Sequence, residues 1–159
     1  MRRLVALCMG ICLAVGITAA PVTARQPVAV SGMDVLTSLV DEGRCWTTSN
    51  GSNHCRGWTG AYETTGDPLV AGTSVVVANW NFDAIGGGSL WGTADVTLAD
   101  GSGGWHESWV AKADQGGLWA GPSVGHGWGS LDGMQIRLDV SSTGPGLDQF
   151  EGFVFQPGG

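Results

Sequence analysis

The sequence predicts an all-β protein: a small antiparallel up-and-down β-barrel of about eight strands, with a two-sheet β-sandwich as the alternative. Three observations carry this. Apolar and polar residues alternate with period two along most of the chain, as half-buried strands require. The runs from Val70 onward are joined by turns of a few residues, many of them glycine-rich, at 84–89, 99–104 and 114–117. Connections that short join only antiparallel neighbours, because a parallel pair needs a crossover of a dozen or more residues. Finally, no segment carries a long helical period. Sandwiches use long Greek-key crossings, whereas sequential short turns favour a barrel, and closure removes the exposed edges that a β-protein must otherwise protect.

Taken in order, residues 1–24 read as a signal peptide: Arg2 and Arg3 precede an apolar run of residues 4–17, and Val22-Thr23-Ala24 is a small-residue cleavage site. The run is too short to cross a bilayer as a helix, which takes about 20 residues. Residues 25–159 form a single barrel domain, secreted or periplasmic, with no membrane span after cleavage. Residues 31–43 fit either a helical face or a strand, and their glycine-bounded length favours a strand. Cys45 and Cys55 are an even pair in an exported chain, so a disulfide is expected; the turn signal Asn50-Gly51 lies between them. Cys45, His54 and Cys55 do not form a metal site, because no second spaced pair supports one.

Strand faces follow from the alternation. Val76, Ala78, Trp80 and Phe82 share one side; so do Leu90, Ala94, Val96 and Leu98; so do Trp105, Glu107, Trp109 and Ala111. Val124, His126 and Trp128 stand together opposite Gly125, Gly127 and Gly129, and Ile136, Leu138 and Val140 alternate with Gln135, Arg137 and Asp139. The formal charge is −7, and −9 once Arg2 and Arg3 leave. Such a chain has no electrostatic footprint for nucleic acid.

The stretches Gly88-Ser-Leu-Trp-Gly-Thr-Ala, Gly103-Gly-Trp-His-Glu-Ser-Trp and Gly125-His-Gly-Trp-Gly-Ser-Leu-Asp-Gly-Met resemble small secreted bacterial proteins of unknown function. Their fold is similar to the allene oxide cyclase and dirigent-type barrel. The resemblance covers residues 56–157 and implies an eight-stranded antiparallel barrel. The plant relatives handle lipid or phenolic substrates inside the barrel, but no catalytic position matches residue by residue, so no activity carries over.

Eight tryptophans stand in 159 residues. Each singly reads as filling for a narrow barrel; together they motivate a pocket for a small apolar or aromatic molecule, with Trp80, Trp105, Trp109 and Trp128 as lining. Binding without catalysis is the leading reading, and a structural or surface interaction module is its rival. The enzymatic alternative is an isomerase or cyclase using Glu107 and His126, which requires both in one cavity. Against it, Glu107 reads first as solvent-facing or paired with Arg137 or Lys112, since burying an unpaired carboxylate is costly. Gly121-Pro-Ser-Val-Gly125 has the G-x-S-x-G form of a nucleophile elbow but lacks the strand-to-helix context that chemistry needs. No cofactor and no metal are called for by any motif.

Overall fold

A computed structural model describes residues 26–156, so residues 1–24, for which a signal peptide is expected, lie outside the described residues. Nine strands run β1 (Val28–Asp41), β2 (Arg44–Thr47), β3 (Asn53–Gly66), β4 (Gly72–Phe82), β5 (Gly88–Leu98), β6 (Gly103–Ala113), β7 (Trp119–Gly129), β8 (Gln135–Gly144) and β9 (Leu147–Phe155). They form one sheet in the order β1-β9-β8-β7-β6-β5-β4-β3-β2, and a further β1–β3 pairing closes it. The result is an eight-stranded antiparallel barrel to which β2 is added as a short flap on β3. A sandwich is not formed, because the sheet returns on itself through β1 and β3.

Residues 31–43 lie almost wholly in β1, as their length favours. The disulfide joins Cys45 to Cys55, which face each other across the β2–β3 pair. Register shifts occur in β1, at Leu36/Ser38 and Leu39/Asp41, and in β8, at Ser142/Gly144, and a further one lies in β3. A bulge between Cys55 and Trp58 changes the phase, and Gly57 sits there at φ +74°, a conformation that L side chains rarely adopt. Cys55 and Trp58 therefore both turn inward despite a spacing of three.

The two ends of the barrel differ. At one end, residues 67–71 fold under the barrel: Asp67 accepts a hydrogen bond from the Val70 N–H (2.9 Å) at its carbonyl and one from the Leu69 N–H (2.9 Å) at its carboxylate. This turn delivers Leu69 and Val70 to a packed core with Val30, Trp105, Leu131 and Ile136. Trp105 is 0 % exposed, and its indole N–H donates to the Leu69 carbonyl at 2.8 Å. Toward the other end the walls separate, and the interior opens between the turns at 114–118 and 145–146.

Candidate functional site

The open end is a cavity of about 720 Å³ whose wall is mainly apolar and aromatic. That volume is in the range of small-molecule sites. Trp58, Trp80, Trp109 and Trp119 line it. Trp109 and Trp119, from neighbouring strands, stack at 5.9 Å between ring centroids; the Trp80 indole N–H donates to Asn53 Oδ1 at 2.6 Å. Room for these rings is made by missing side chains: a Cβ at Gly60 would stand 2.6 Å from the Trp58 ring.

Three carboxyl groups share this apolar space: Asp34 from β1, Asp148 from β9 and Glu107 from β6. Asp34 and Asp148 are direct cross-strand partners. Glu107 comes from the opposite wall, since β6 is four strands from β1 in either direction around the barrel. Hydroxyls serve two of them: Thr64 donates to Asp34 at 2.5 Å and Ser123 to Glu107 at 2.6 Å. Opposite Glu107 stands Gly125, where a Cβ would lie 2.7 Å from the Glu107 Cγ. The glycine thus leaves space for the glutamate's stem.

Burial governs the electrostatics. Desolvation raises the Glu107 pKa to about 7, the charge of Asp34 adds to the rise, and the Ser123 hydrogen bond opposes it. Asp148 is also raised to about 7, by desolvation and then by Asp34, against the Ser142 hydroxyl. Asp34 rises through desolvation, partly offset by Thr64. Tyr62, on the same wall, is pushed up to about 12 by burial and by both aspartates. No Lys, Arg or His lines the cavity among the described residues. A low-dielectric space with carboxyls and no cation holds protons near neutral pH. Among the described residues, no group of three His, Cys, Asp or Glu is arranged to hold a metal ion.

The chain is similar to the solved structure of a protein of unknown function from the DUF3224 family of Shewanella oneidensis MR-1. It matches with a TM-score of 0.52 and 18 % identity, over 83 % of this chain and 99 % of that one. The likeness is one of fold. No protein-family profile matches the chain, and no curated protein matches it in sequence.

Of the residues singled out in the sequence, Trp80, Trp109 and Glu107 line the cavity. Trp105 borders it too, but most of its surface is spent in the packed core below. Two expectations are corrected. Trp128 and His126 project from the outer face of β7, where Trp128 stacks on the exposed ring of His106 at 6.1 Å. Glu107 and His126 are therefore separated by the sheet and do not form an acid–base pair. Glu107 does not point to the outer solvent and is not paired with Arg137 or Lys112; it is half-buried, faces the cavity and is held by Ser123. Ser123 itself lies mid-strand in β7 and not on a strained turn, so the G-x-S-x-G match has no elbow.

Asp34, Tyr62 and Asp148 went unnoticed in the sequence, although a signal was there. Val30, Gly32, Asp34 and Leu36 share one phase of β1, and Asp148, Phe150, Gly152 and Val154 share one phase of β9. Each aspartate occupies an apolar, inward phase.

Proposed function

We propose that this is an exported, non-enzymatic barrel that binds a small, flat, apolar or aromatic molecule in its open end. The observation that carries the reading is the 720 Å³ cavity walled by Trp58, Trp80, Trp109 and Trp119. Indoles on several walls present broad apolar faces between which a planar body can lie. Export is supported by the signal-like residues 1–24, by the Cys45–Cys55 disulfide and by the acidic balance of the chain. Among the described residues, no helix is long and apolar enough to cross a membrane.

Titration of the intrinsic tryptophan fluorescence with a panel of fatty acids, phenolics and saccharides tests this. Saturable quenching or a spectral shift is expected with flat apolar members. No response to any member contradicts the proposal.

A second reading, proton-transfer catalysis on a bound molecule, is favoured by one observation. Glu107 is raised to about 7 inside a reachable cavity, where a carboxyl group can both give and take a proton. It stands on Glu107 without His126. Deuterium exchange into a bound phenolic or ketone that is lost in Glu107→Gln would favour it over simple binding.

A further inference from the structure

The carboxyl groups of the cavity are unusual for a site that takes only neutral, apolar molecules. An apolar ligand would seal Asp34, Asp148 and Glu107 away from water without offering them a partner, which is unfavourable for any of them that is charged. Groups facing this space are titratable on four strands: Asp34 on β1, Tyr62 on β3, Glu107 on β6 and Asp148 on β9. The other four strands contribute side chains such as Ser74, Leu90, Ser123 and Val140, and none of the eight brings a cation.

Two details mark the wall as built for a polar partner. Asp148 is only 7 % exposed and faces the cavity. The hydroxyl of its cross-strand neighbour Ser142 is shared with the Gly144 carbonyl at 3.2 Å, so the carboxyl has that donor only in part. The indole N–H of Trp109 is buried with no hydrogen-bond partner; as a donor it calls for an acceptor on the body of the ligand and is not a partner for the ammonium.

We propose that the cavity selects small amines: the ligand's ammonium group is held by the Asp34–Asp148 pair, with Glu107 facing it, and its flat apolar body lies between the tryptophans. This rests on the reading of the cavity as a ligand site. The chemistry is consistent from both sides. An ammonium ion donates three hydrogen bonds to acceptor-only carboxylates, and a cation inside an indole-lined space also gains from the ring faces. A divalent metal is a poorer fit, because the carboxyls come from opposite walls and are not arranged around one ion. When the ammonium arrives, a carboxyl group that held a proton releases it to solvent and remains as carboxylate. No other bond changes. The net acidity of the chain also favours the approach of a cation over that of an anion.

The test is isothermal titration calorimetry of the disulfide-bonded protein at pH 7 with three naphthalene compounds of one shape: 1-naphthylmethylamine, 1-naphthalenemethanol and 1-naphthoate. The amine is expected to bind at least tenfold more tightly than the alcohol, and naphthoate more weakly than either. Repeated in buffers of different ionisation enthalpy, amine binding should release protons and alcohol binding should not. Asp148→Asn is expected to lower the amine-to-alcohol ratio at least fivefold; Glu107→Gln serves if that variant does not fold. An amine that binds no better than the alcohol, or binds without proton release, overturns the inference while leaving the ligand site intact. Failure of all three compounds to bind overturns the ligand site itself.

Discussion

Asp34 and Asp148 face each other directly across the β1–β9 pair, both inside the barrel. Like charges directly opposite on one face of a sheet destabilise it, and here the penalty is sharpened by an apolar surround. Proton retention relieves the conflict, and Glu107 on the far wall responds to the same field. The barrel therefore carries this carboxyl pair at the expense of its own stability.

Stability should consequently fall as pH rises. Glu107 and Asp148 have folded pKa values of about 7 against ordinary values of 4.5 and 3.8. Between those limits the native state binds more protons than the unfolded chain, so the slope of stability with pH is negative. The destabilisation is complete above about pH 7 and absent below about pH 4. Thermal melts should show a Tm lower at pH 8 than at pH 5 by about 3 °C or more. The double variant Glu107→Gln, Asp148→Asn should flatten the profile and melt above the native sequence at pH 8. An equally steep profile in the variant would place the cause elsewhere among the carboxylates.

Trp105 should behave as a structural residue. Its ring is wholly buried and its N–H meets the Leu69 carbonyl that anchors the turn at 67–71. Trp105→Phe removes that donor and leaves a void, a combined loss of about 2–4 kcal/mol. Urea denaturation should show this as a lower midpoint with an unchanged slope. A variant within about 0.5 kcal/mol of the native sequence would mean that the core does not depend on this turn.

The disulfide spans a separation of 10 residues and fastens β2 to β3. Replacing both cysteines by serine should lower stability by about 2–3 kcal/mol, with the barrel retained because β2 lies outside the closed circuit. Circular dichroism and a guanidinium melt check both parts. Loss of the β signature would show that the flap is needed for closure.

The barrel was legible in the sequence because short turns and clean alternation leave few other ways to connect these strands. The grouping of residues into faces in β4, β5 and β6 followed from the same alternation, but which face points inward did not. β7 was misleading for a physical reason: beyond Trp119 its interior side is Gly121, Ser123, Gly125 and Gly127, while Val124, His126 and Trp128 point outward. The small face is what accommodates the bulk arriving from neighbouring strands, as at Gly125 beneath Glu107. Placing His126 and Trp128 inside follows the rule that large residues are buried, and β7 inverts it. In β3 the bulge at Gly57 shifts the phase, and only backbone geometry reveals it. Asp34 and Asp148 were legible in principle by their phase, yet an isolated aspartate is ordinarily a solvated surface residue. Recognising their proximity requires the β1–β9 pairing, a relation between distant parts of the chain.

The most direct test of the central claim is residue-resolved. Assigned ¹H–¹⁵N spectra of the eight tryptophan indoles should be followed while 1-naphthalenemethanol is added. The cavity predicts saturable shifts at Trp58, Trp80, Trp109 and Trp119, with Trp46, Trp91 and Trp128 unmoved on the outside. Shifts confined to the outer tryptophans, or no shifts at all, would contradict it.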